Sequence, residues 1–151
     1  MVVVGTEVEP LRALVGQHLG FSDWMLISQE QVDCFAAAIG DHQWIHVDPK
    51  RAADGPFGGT VVHGFLVLAL TSRVLEQVLV AEGVRLKVNY GCDRVRFLAP
   101  VPVGSRIRAG VVLRGVQPLR RGVQLALSLR YQVEGSLMPA CVAQVLVHNY
   151  A

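Results

Sequence analysis

The sequence predicts an α+β fold in which one long antiparallel sheet wraps a single apolar helix. Two observations carry this expectation. The first half of the 151 residues reads mainly helical, whereas from Val84 onward the apolar pattern changes to β-strand alternation. Between them, His63–Glu82 reads as the most apolar helix of the chain. Helices first and antiparallel strands later point to segregated layers around one sheet.

Taken in order, Thr6 can cap a short helix running to Val15, with Glu7 and Glu9 in its first turn. Phe21–Ile27 reads as an edge strand. Ser28 followed three residues later by Gln31 is a capping-box pattern, and Val32, Phe35, Ala36 and Ile39 then repeat at helical spacing up to Gly40. Asp48-Pro49 reads as an N-cap and first helical residue for one turn holding Arg51, Ala52 and Ala53. Phe65–Leu70 are apolar all round, so the first two turns of the central helix are expected to be buried on every side. Val84–Tyr90, Arg94–Phe97, Ser105–Gly115, Val123–Val133 and Met138–Asn149 are the expected strands, punctuated by Gly and Pro.

No linker or repeat divides the chain, so residues 1–151 are expected to form a single domain. An apolar content of 52% with 17% charged residues excludes disorder. It exceeds the usual share of about 45–50% and leaves room for a buried subunit interface. Net charge is +2, and the densest basic run, Arg114 to Arg121, holds three arginines and reads as a solvated turn. No nucleic-acid partner is expected. Cys34, Cys92 and Cys141 show no metal spacing and lie in apolar segments, so they read as reduced, buried cysteines of a reducing compartment. The N-terminus lacks a basic region and a long apolar core, so no signal peptide is expected. No segment reads as a membrane span either. The expectation is a soluble, cytoplasmic protein.

Asp41 and His46 carry the chemistry. A carboxylate beside an imidazole is a natural general base for water at neutral pH. Extended chain would hold the two roughly 17 Å apart, so they act together only if the segment bends back, and Gly40 permits that bend. Trp44 and Ile45 would then point inward and anchor the loop. Spacing alone leaves a second reading open, with Asp41 as a loop cap and His46 as a satisfied polar residue. Downstream, Gly58-Gly59-Thr60-Val61-Val62-His63-Gly64 opens the apolar helix. The Gly64 N–H at that helix start, with no Cβ to obstruct approach, could hold a developing enolate oxygen; Gly64 could equally serve close helix–sheet packing. His63 reads as a cap, a core residue or a ligand contact. His42 and His46 lack a further ligand pattern, so no metal site is expected. Arg73, Arg85, Lys87, Arg94 and Arg96 are either phosphate contacts or a solvated sheet face.

Gly40-Asp41-His42-Gln43-Trp44-Ile45-His46, closed by Ala52, resembles the hydratase motif of the MaoC-like (R)-specific enoyl-CoA hydratases of the hot-dog fold. The resemblance continues through His63-Gly64-Phe65, Asn89-Tyr90-Gly91, Arg94-Val95-Arg96-Phe97 and Pro100-Val101-Pro102-Val103-Gly104. It implies a curved sheet around a long helix, a homodimer paired edge to edge, and an acyl-CoA thioester substrate, with no cofactor. The residue roles it implies are His46 as general base for water attacking C3 of a trans-2-enoyl thioester, Asp41 orienting that water and assisting protonation at C2, and the Gly64 N–H receiving the thioester oxygen. The implied product is the (R)-3-hydroxyacyl thioester. Many members carry Asn-Pro where this chain has Gln43-Trp44, which bears on loop shape and acyl-chain preference. Three alternatives remain from the sequence: a carrier-protein dehydratase, an acyl-CoA thioesterase that would not need the Asp41–His46 pair, and a non-catalytic acyl-CoA binding module.

Overall fold

Strict alternation in the second half of the chain dictates the framework of the computed structural model, which describes residues 1–151. β6 (Arg106–Leu119), β7 (Gly122–Val133) and β8 (Pro139–Tyr150) are antiparallel neighbours. Val123, Leu125, Leu127, Leu129 and Tyr131 of β7 all point into the core, as do Cys141, Ala143, Val145 and Val147 of β8. Each fully buried Val or Leu contributes about 1.5–3 kcal/mol relative to an exposed one, so a one-residue slip would turn the whole apolar row outward.

β5 (Leu86–Phe97) pairs with β8 and forms one edge, while β2 (His18–Phe21) pairs with β6 and forms the other. The two strands expected at Val84–Tyr90 and Arg94–Phe97 are one, kept continuous by bulges at Asn89/Gly91 and Cys92/Arg94. The expected edge strand at Phe21–Ile27 is instead split into β2 and β3 (Met25–Leu26), both on β6. Ser22 sits at the break, where its hydroxyl accepts a hydrogen bond from the Ala109 N–H at 3.0 Å. Arg114–Leu119 is strand, and only Arg120 and Arg121 form the turn.

The central helix packs against the inner face of this sheet. It comprises α5 (Gly64–Ala69) and α6 (Thr71–Val78), joined at Leu70, where ψ is −8°. Val67, Thr71, Val74, Leu75 and Val78 form its buried stripe. The expectation of all-round burial fails: Phe65 is 67% exposed and Ala69 is also open. The helix also ends earlier than expected. Leu79–Ala81 leaves it as β4 and pairs in parallel with β1 (Val2–Val4), so long-range pairing overrides the helical reading of these residues. α1 (Val8–Arg12) follows β1 and starts at Glu7, not Thr6. Of the cysteines only Cys141 is buried; Cys34 and Cys92 are exposed, Cys92 because it lies on the edge strand β5, opposite Val145. No helix is long and apolar enough to cross a membrane.

Candidate active site

α2 (Gln29–Ile39) delivers the chain to the site. Ser28 and Gln31 form the expected reciprocal capping box, and Gly40 closes the helix at φ 77°, a conformation that favours glycine. The turn this creates places Asp41 next to a segment that spacing alone would leave as loop. Trp44–Val47 instead winds into one helical turn, α3, followed by α4 (Pro49–Ala53) under the expected Asp48 cap. Trp44 is half-buried; it lies under the Arg51 guanidinium, 4.6 Å from its ring centre, and against Gly55. It anchors the loop from the side rather than from the core.

α3 turns His46 inward, where it is 8% exposed. Its Nδ1 lies 2.6 Å from the Val61 carbonyl. That carbonyl can only accept, so Nδ1 carries the proton and Nε2 keeps its lone pair. Gln29 holds the turn from below, donating to the His46 carbonyl at 2.8 Å and accepting from the Thr60 hydroxyl at 2.7 Å. Sequence reading missed Gln29, because nothing in spacing links residue 29 to residues 46 and 60.

His63 completes the cluster. It stands at the N-cap of α5 yet makes no capping bond. Its ring stacks on His46, with centroids 3.9 Å apart and planes 24° apart, and Phe35 meets its edge. Its Nε2 lies 3.1 Å from the Asp41 carbonyl and 3.9 Å from the Asp41 carboxylate. Asp41, His46 and His63 therefore bring their polar atoms within 4.8 Å of one another.

Gly64 begins α5, and neither its N–H nor that of Phe65 has an acceptor. A Cβ at Gly64 would come within 2.9 Å of the Phe97 ring, so this glycine serves close packing. Gly64 also lines an almost wholly apolar cavity of about 260 Å³ with Ile45, Phe57, Val61, Phe97 and Cys141. Burial there pushes the Cys141 thiol up to about 11. Across the core, burial also raises Tyr131, whose hydroxyl pairs with Thr71 at 2.8 Å. Arg94 and Arg96 line a groove on the outer face of the sheet with Arg130, since Val95 between them faces the core. They stand on the opposite side of the sheet from Gly64.

An antiparallel sheet curved around one helix, with a polar cluster at the helix start, defines a hot-dog domain. The MaoC-like domain pattern matches residues 11–133. The chain is 54% identical over 145 residues to 3-hydroxyacyl-thioester dehydratase Z of Mycobacterium tuberculosis, covering 95% of this chain and 96% of the relative. It is 42% identical over 141 residues to nodulation protein N of Rhizobium meliloti, with 87% and 83% covered. Among solved structures, the (R)-hydratase of Aeromonas caviae involved in PHA biosynthesis superposes with a TM-score of 0.72 at 27% identity, covering 88% of this chain and 94% of that one. The chain belongs to the MaoC-like dehydratase family.

Proposed function

We propose that this protein is a hydro-lyase that interconverts trans-2-enoyl and (R)-3-hydroxyacyl thioesters, with acyl-CoA as substrate. One observation carries the reading: His46 is held through Nδ1, which leaves Nε2 free, and a ring nitrogen of His46 and the Asp41 carboxylate lie within 4.8 Å of each other. The open N–H of Gly64 begins the adjacent helix. In hydration, His46 Nε2 takes a proton from water as its oxygen bonds to C3. The electron pair of the C2–C3 double bond shifts toward the thioester, and the Gly64 N–H receives the charge on oxygen. Asp41 orients the water and assists return of the proton to C2 on the same face, giving syn addition. Dehydration reverses each step. The relatives named as a thioester dehydratase and an (R)-hydratase support this class of reaction.

We further propose that the chain acts as one domain within a homodimer. β5 is bonded only to β8, so its outer edge carries unpaired N–H and C=O groups flanked by the exposed Leu86, Tyr90 and Phe97. Such an edge invites pairing with a second copy. Sedimentation at micromolar concentration tests this; a monomer with full activity would sink it.

The deciding assay follows loss of the conjugated enoyl absorbance with trans-2-enoyl-CoA esters, scoring product chirality with an (R)-specific dehydrogenase. Asp41→Asn and His46→Gln should each lower kcat by about 10²- to 10⁴-fold. Folded wild-type protein that turns over no enoyl thioester would overturn the assignment.

A further inference from the structure

We infer that His63 is a positioning residue of the active site, whose Nε2–H holds the Asp41 main chain so that the carboxylate stays beside His46. The inference rests on the reading of Asp41 and His46 as the proton-transfer pair. Three observations support it. His63 is 2% exposed, yet it occupies the N-cap of α5 without capping it, so its polar atoms serve something other than the helix. Its Nε2 reaches back 22 residues to the Asp41 carbonyl at 3.1 Å, across from the turn that Gly40 starts. Its Nδ1 is buried with no partner.

The bond to Asp41 selects the tautomer. The Asp41 carbonyl can only accept, so Nε2 must donate. The buried Nδ1 is then a bare lone pair without a partner. The Asp41 carboxylate is partly exposed, and among its own contacts only the 3.3 Å bond from the Gln43 N–H orients it. Without the His63 donor, the long Gln43 bond and a short turn behind a left-handed glycine would be the only restraints on the carboxylate. The stacked ring meanwhile keeps the His46 imidazole in the plane that its Val61 bond requires.

Two substitutions separate hydrogen bonding from packing. His63→Gln can place an amide N–H where Nε2 stands but loses the stack. His63→Phe keeps an aromatic ring against His46 and Phe35 but loses the donor. If His63 positions Asp41, His63→Phe lowers kcat by roughly 10- to 100-fold with KM nearly unchanged, and His63→Gln restores most of it. A merely structural role gives the opposite ranking, because a buried apolar ring then outperforms an amide. Equal or reversed kcat values overturn the inference.

Wild-type protein labelled with ¹⁵N-histidine supplies a readout that does not depend on either variant folding. The His63 ring should show a solvent-protected proton on Nε2, and a proton on Nδ1 instead overturns the inference. Asp41→Asn and His46→Gln keep the two levels apart. If both remain active, the reading of the site fails; if both lose activity while Phe equals or exceeds Gln at residue 63, only the role of His63 fails.

Discussion

The two helices that bracket the site are finished in opposite ways. α2 closes both ends: Ser28 and Gln31 satisfy each other's backbone donors at its start, and Gly40 satisfies the last turn. α5 begins with no side-chain cap, and the N–H groups of Gly64 and Phe65 stay unpaired. His63, the residue placed to cap it, turns away toward Asp41. At both starts the first two backbone donors, those of Gln29 and Glu30 in α2 and of Gly64 and Phe65 in α5, find no acceptor; what differs is the side-chain cap, which α2 has and α5 lacks. In the proposed reaction the open start of α5 would hold developing charge, whereas α2 serves as a support. α1, α3 and α6 also start without a side-chain cap, so a missing cap alone does not mark a site; α5 differs in that the residue at its cap position bonds to Asp41 instead.

Substitutions at the two starts should separate these roles. The largest effect is expected at the open end. Gly64→Ala should lower kcat by about 10²- to 10³-fold, because its methyl group would meet the Phe97 ring and close the approach to the N–H. Adding Phe97→Ala should recover thermal stability more than turnover; recovery of both would mean that Gly64 serves packing alone. At the closed end, Gly40→Ala forces a side chain into φ 77° and should cost about 1–2 kcal/mol. Its kcat should fall as well, since Gly40 aims Asp41. Ser28→Ala should cost about 1 kcal/mol by denaturant unfolding without a matching loss of kcat. A large kcat loss in Ser28→Ala would erase the contrast between the two helices.

The smallest effect concerns Cys141. Its thiol stays protonated in the folded protein up to about 11, against a usual value of 9.0. The unfolded chain thus releases this proton first, and stability falls as pH rises from 9 toward 11. Cys141→Ala should lose stability less steeply over that interval in thermal melts. Native alkylation at pH 8 should label Cys34 and Cys92 and spare Cys141 until the protein unfolds.

Much of the sheet was legible because its signal is local and repeated. Alternation along β6, β7 and β8 places an apolar residue at every second position, and the strand positions follow to within a few residues. The capping box of α2 and the Asp48-Pro49 start of α4 were legible for the same reason, since each is complete within four residues. Where a distant partner decided the outcome, the local signal misled. Leu79–Ala81 continues a helical pattern but pairs with Val2–Val4. Cys34 and Cys92 sit in apolar segments yet are exposed. Phe65 reads as core and lies open at the helix start.

The site divides along the same line. Asp41, His46 and Gly64 are candidates from residue type and spacing, which leave loop-cap, polar and packing readings open; their roles come from the resemblance to the hydratase motif. That His46 presents Nε2 rather than Nδ1 depends on the carbonyl of Val61, fifteen residues away. The stacking of His63 on His46, its hold on Asp41 and the support from Gln29 also join separate segments. Residue chemistry and short-range geometry are written in sequence order. Hydrogen-bond partners across a turn, and the exposure of a helix face, arise only when the folded backbone brings distant groups together.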